Sequence, residues 1–246
     1  MRYFIELMYD GSNYHGWQYQ PNATTIQIKL EECISLIIQD KVELVAAGRT
    51  DTGVHAKQMF AHFDSDKSLG KELLYRINSI LPNDIAVINL FKVKEDAHAR
   101  FSALNRTYSY CISENKNPFN THCYFYNKKL DVIKMNESAQ YLLGKHDFTS
   151  FSKVKTNTHT NNCEISILSV VKKKDKIFFT IRSNRFLRNM VRAIVGTLVD
   201  VGESKIPVSS LKKILENKNR SLAGKSMPAN GLTLVSIEYP KEIYDE

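Results

Sequence analysis

Between residues 46 and 56 the chain reads Ala-Ala-Gly-Arg-Thr-Asp-Thr-Gly-Val-His-Ala, which sets an acid, Asp51, two residues from a base, Arg49, with Gly48 and Gly53 on either side. A turn of this composition can hold a charged carboxylate against a substrate. Apolar runs flank it at 43–47 and 57–64, so the turn is expected on a loop carried by two strands, where catalytic side chains are commonly mounted. Asp51-Thr52-Gly53 is also the triplet of aspartic proteases, in which two such acids share a proton. The chain has one copy of it, and the cation beside it favours the ionised carboxylate over a shared proton.

A second group of residues suited to chemistry is cationic. Lys172, Lys173, Lys174, Lys176, Arg182, Arg185, Arg188 and Arg192 are opposed locally only by Asp175, and they supply nearly all of a formal charge of +8. That balance favours a polyanionic partner. The spacing of Arg185, Arg188 and Arg192 by three and four predicts one face of a helix over 186–201, with Leu187, Met190, Val191, Ile194, Val195 and Leu198 on the apolar side. Two of these arginines would then lie in the first turns, where the helix dipole disfavours them; an external anion explains their placement better than helix stability does. The lysine run reads as a solvated hairpin turn.

With 246 residues, 43% of them apolar and 24% charged, the chain has the composition of a folded protein and not of a disordered one. Cys33, Cys111, Cys123 and Cys163 form no CxxC pair, and the seven histidines give no HxxxH or HExxH spacing, so metal catalysis is not expected. The N-terminus has no apolar signal region, and no run approaches the roughly 18 apolar residues of a membrane span. These features predict a cytoplasmic protein with reduced thiols.

The elements that must position these residues follow from periodicity. Tyr3, Ile5, Leu7 and Tyr9 alternate as in a strand, and Thr24 with Gln27 opens a helix bearing Ile26, Leu30, Ile34, Ile37 and Ile38. Strands at 43–47 and 57–64, a helix at 68–81 and a strand at 85–93 complete a β-α-β-β-α-β order. From Arg106 the order repeats: strand 107–113, helix 136–144, strands 164–171 and 177–183, helix 186–201 and strand 231–239, with an added helix at 209–217. The expected fold is therefore α+β, two ferredoxin-like halves over 1–105 and 106–246. Their sheets are expected to join into a continuous, mostly antiparallel one, with helices on one face and a cleft on the other. RNA-recognition modules share this order, but neither Lys57-Gln58-Met59-Phe60-Ala61-His62-Phe63 nor Ile177-Phe178-Phe179-Thr180 carries their aromatic signature.

Several longer motifs stand in register: Tyr9-Asp10-Gly11 with Tyr14-His15-Gly16-Trp17-Gln18, the 48–56 turn, Leu81-Pro82-Asn83-Asp84-Ile85, and His98-Ala99-Arg100-Phe101-Ser102-Ala103 followed by Arg106-Thr107-Tyr108-Ser109-Tyr110. Further along are Gly144-Lys145-His146-Asp147-Phe148-Thr149-Ser150-Phe151, Met190-Val191-Arg192 with Val195-Gly196-Thr197-Leu198, and Gly231-Leu232-Thr233-Leu234. In order and spacing, over essentially the whole chain, this set resembles the tRNA pseudouridine synthase A family. Residues 153–163, rich in Thr and Asn, hold less arginine than the family pattern has there.

The resemblance implies an isomerase that converts uridine to pseudouridine at positions 38, 39 and 40 of the tRNA anticodon stem-loop, without cofactor or metal, as a homodimer. It implies that Asp51 is the nucleophile, adding either to C6 of the ring or to C1′ of the sugar. Arg192 would keep that carboxylate ionised, Arg49 would hold the target nucleotide's backbone, and Tyr108 would stack on the everted base. Because Tyr108, Tyr110 and Ile112 share one strand face, a core position is the alternative for both tyrosines. Trp17 and His55 read as residues that shape the loop around Asp51.

Overall fold

In a computed structural model that describes residues 1–70, 72–153 and 158–244, the chain is a mixed α+β protein with ten β-strands and five α-helices among those residues. It divides into two units, Met1–Leu104 with Leu234–Glu246, and Asn105–Thr233.

In the first unit the period-two alternation forms β1 (Arg2–Tyr9), which pairs antiparallel with β3 (His55–Asp64) and with β4 (Ile85–Val93). A two-residue β2 (Val45–Ala46) lies on β3. With α1 (Ile26–Ile38) and α2 (Glu72–Ile80) in between, the sheet order β4-β1-β3-β2 is that of a split β-α-β unit. Tyr3, Ile5, Leu7 and Tyr9 of β1 are buried, as are Ile26, Leu30, Ile34 and Ile37 of α1. On the opposite sheet face Phe4, Phe60 and Phe91 pack with Tyr239, ring centroids 5.2 to 6.5 Å apart. The residue capping α1 is Thr25, whose hydroxyl accepts from Ile28 N; Thr24, the expected cap, stays in the preceding loop and accepts from His15 N through its carbonyl.

The second unit opens with β5 (Asn105–Ser113), followed by β6 (Tyr124–Phe125), α3 (Val132–Ala139), β7 (Gly144–Asp147), β8 (Asn162–Lys173), β9 (Lys176–Ser183), α4 (Met190–Gly202) and α5 (Ser210–Asn217). Its sheet order is β5-β9-β8-β7, with antiparallel neighbours, and β6 runs parallel to β5. The division between the units falls inside β10 (Leu232–Glu238). The segment from Leu234 onward, expected with the second half, clusters with the first unit, where Ile237 N donates to Gln58 Oε1 of β3 and Leu104 N to Glu238 O.

Three further expectations change. Helix α3 starts four residues early, because Asp131 caps it by accepting from Ile133 N and Lys134 N. Helix α4 starts at Met190 rather than 186, because Asn189 takes a left-handed conformation (φ 67°) that no continuing helix tolerates; Arg185 and Arg188 are thus in a connection, and the dipole argument applies to Arg192 alone. The thiols are not all reduced: Cys111 and Cys123 form a disulfide, while Cys33 and Cys163 are free and buried. The parallel pairing of Ile112 with Tyr124 sets these two backbones side by side, Cα to Cα 4.7 Å. Of the Thr- and Asn-rich stretch 153–163, residues 154–157 lie outside the described residues.

Candidate active site

The Asp51 turn is built from beneath. Thr50, buried, places its hydroxyl 2.9 Å from the Tyr9 phenol, and its carbonyl accepts from Trp17 N at 3.2 Å. Past the acid, Val54 N donates to Asp51 O at 3.1 Å and Gly53 N to Tyr14 O at 3.3 Å. Two glycines of the 9–18 motif make this approach possible. A Cβ on Gly11 would lie 2.0 Å from Val54 O, and one on Gly16, at φ +86°, would lie 2.4 Å from Thr50 O. Of the two glycines within the turn, Gly53 has φ +78°, whereas Gly48 has open space around its Cβ direction. On this fixed base Asp51 is half-buried and Arg49 exposed.

The side chains around the turn take supporting places. Trp17 is 1% exposed and packs against Tyr9. His55 is buried, with Nδ1 2.9 Å from Asp10 Oδ1 and 3.1 Å from Gly11 N. Sequence reasoning passed over Asp84, although it lies in a quoted motif. It accepts from the Tyr14 phenol at 2.5 Å and from Asn13 Nδ2 at 3.3 Å, and its carbonyl accepts from Asp10 N. Burial, and then the Asp84 hydrogen bond, push the Tyr14 hydroxyl far above its ordinary pKa, so it remains a donor.

In the second unit, Tyr108 on β5 is half-buried and meets Phe186 edge-on, centroids 5.1 Å apart. Tyr110, on the same strand face, is fully buried, and its hydroxyl donates to Pro228 O at 2.8 Å. The two tyrosines differ accordingly: Tyr110 is core, while Tyr108 stands at the core's margin. Arg192, in the first turn of α4, donates from Nε to Met227 O at 2.6 Å, and Met227 N donates back to Arg192 O. One turn on, Gly196 lets the backbone of Lys225 come so close that a Cβ would fall 1.8 Å from its carbonyl oxygen. Thr197 Oγ1 accepts from Gly224 N at 2.9 Å. The start of α4 and residues 224–227 therefore pack tightly together, with Arg192 Nε held at the Met227 carbonyl. Arg188 is exposed and Arg185 half-buried.

Arg49 and Asp51 thus share one turn of the first unit, and Tyr108 and Arg192 lie on separate elements of the second. Comparison with known proteins bears on what such an arrangement belongs to. Residues 138–240 match a family model described as tRNA pseudouridine synthase. The chain is 48% identical to the tRNA pseudouridine synthase A of Bacteroides thetaiotaomicron over 100% of its own length and 93% of that protein. It is 45% identical to that of Parabacteroides distasonis, over 99% of this chain and 98% of the other. The Bacteroides fragilis protein of that name is 48% identical, again over 99% and 98%. The chain belongs to the tRNA pseudouridine synthase A family.

Proposed function

We propose that the protein isomerises uridine to pseudouridine in tRNA, at positions 38, 39 and 40 of the anticodon stem-loop, with Asp51 as nucleophile. It acts in the cytoplasm as a homodimer and needs no metal or cofactor. The observation that carries this reading is the Asp51 turn itself, a half-buried carboxylate on a loop fixed from below by Tyr9, Tyr14, Trp17 and two close-packed glycines. Among the described residues no helix is long and apolar enough to cross a membrane.

The reaction asks little more of the protein than position and charge. The N1–C1′ bond breaks with its electron pair going to the ring, the detached uracil turns, C5 bonds to C1′, and the C5 proton leaves last while N1 ends protonated. Asp51 adds to C6 or to C1′ and departs again, so atoms and charge balance. Arg192 is the proposed cationic partner of that carboxylate. Everting the uridine costs a few kcal/mol, offset by stacking on Tyr108, worth about 1 to 3 kcal/mol, and by Arg49 on the nucleotide backbone.

Replacement of Asp51 by Ala or Asn tests the reading. Pseudouridine mapped position by position in treated tRNA should fall by on the order of 10⁴-fold or more, with tRNA still bound. Retained isomerisation would sink the assignment of the nucleophile; modification confined to other sites would sink the target.

A further inference from the structure

The 98–103 motif has no part in the chemistry above, yet its backbone is tied down at almost every residue. His98 Nδ1 accepts from Arg100 N at 3.1 Å and from Phe101 N at 3.3 Å. His98 N donates to Ser102 Oγ and Ser102 N to His98 O, both at 2.9 Å. From below, His62 Nδ1 accepts from Ala99 N at 3.1 Å, Arg2 Nη1 donates to Ala97 O at 3.0 Å, and the Tyr239 hydroxyl donates to Ala99 O. These anchors leave residues 100 and 101 at the top of a rigid loop.

The rings form a column through that loop. Phe4, fully buried, meets His62 at 6.0 Å; His62 meets His98 at 4.7 Å; His98 meets Phe101 at 4.4 Å. Burial, followed by the nearby Arg2, lowers the pKa of both histidines, which keeps the column neutral at pH 7. At its outer end Phe101 is 74% exposed, and the Arg100 guanidinium lies 5.4 Å from the ring centroid. That separation is near the outer limit of a cation–π contact, and the ring itself stays largely open to a planar group. A phenylalanine this exposed adds nothing to the core, and the fixed backbone beneath it prevents it from folding inward.

We propose that Phe101 is a stacking platform for one unpaired base of the bound tRNA, with Arg100 paired to the adjoining phosphate. This rests on the reading of tRNA as substrate and not on the role of Asp51. Ring stacking accepts any base, and a guanidinium beside it matches a phosphate in charge and geometry. An apolar protein partner would gain from Phe101 but would have to desolvate Arg100.

Binding of tRNA is measured in the Asp51→Ala background, which separates recognition from chemistry. Phe101→Leu keeps an apolar side chain and removes the ring; it should raise Kd roughly tenfold, and Phe101→Trp should restore affinity. Arg100→Ala should lower the salt slope of log K by about one. Trp17 is 1% exposed, so the emission quenched by iodide in the Phe101→Trp variant reports position 101, and tRNA should protect it. Parental affinity in Phe101→Leu, or iodide quenching unaffected by tRNA, overturns the platform alone. Failure of the parent to bind tRNA overturns the substrate reading and the platform with it.

Discussion

The Asp51 turn and the connection that carries Arg185 and Arg188 both set charged residues on irregular backbone, but they are held in opposite ways. Under Asp51 the support is close and buried: Thr50 is gripped by Tyr9 and Trp17, and glycines at 11 and 16 let two backbones touch. The connection between β9 and α4 is tied at intervals, by Ser183 Oγ donating to Arg185 O and Lys153 N to Arg188 O, and it leaves Arg188 exposed. On the proposed reading Asp51 must meet one reacting carbon, which needs fixed geometry. A cation that meets a phosphate acts over a longer range and tolerates movement.

Gly16→Ala should break the tight side of this contrast most severely. With a Cβ 2.4 Å from Thr50 O and φ at +86°, stability should fall by about 3 kcal/mol or more in urea unfolding, and the folded fraction should bind tRNA but turn over slowly. Gly48→Ala, in open space, should change stability by less than about 0.5 kcal/mol. Equal effects from the two would mean that the turn is not held from the Gly16 side.

A pH scan asks whether the first unit is held this tightly elsewhere. Burial, then Arg2 and His98, bring the His62 pKa down to about 4, so the folded state binds fewer protons there than the unfolded chain. Its contribution is complete above about pH 6.5 and is lost as the pH falls toward 4, a loss of about 2 to 3 kcal/mol. Melting temperature should drop across that window, and His62→Asn should flatten the drop.

Tyr9→Phe removes one buried hydrogen bond and leaves the Thr50 hydroxyl without that partner, which should cost about 1 to 2 kcal/mol and lower kcat more than it raises KM. Arg188→Ala should, like Gly48→Ala, barely change stability. It should stay within about 0.5 kcal/mol of the parent, weaken tRNA binding a few-fold and reduce the salt slope by about one. A large fall in its melting temperature would show the connection to be as rigid as the turn.

Which parts of this were legible in the sequence follows from the range of the forces involved. β1 and β4 were readable because alternation is local, and the 46–56 turn because its glycines and charged residues are neighbours in the chain. What braces it was not readable: Tyr9 and Thr50 are 41 residues apart, and Tyr14 and Asp84 are 70 apart, and no local pattern pairs them. Helix α4 was begun too early because Arg185, Leu187 and Arg188 continue its period into the connection, and a left-handed Asn189 leaves no trace in hydrophobicity. The Cys111–Cys123 pair escaped motif reading because it depends on the parallel pairing of β6 with β5 rather than on cysteine spacing.

The Arg192 side chain is tethered through Nε to the Met227 carbonyl. That tether commits the Nε edge of the planar fork to the protein's own backbone and fixes the plane in which the rest of the guanidinium lies. Lysine would carry the same charge to position 192 as a freely rotating ammonium, without the planar fork whose orientation the Met227 carbonyl sets.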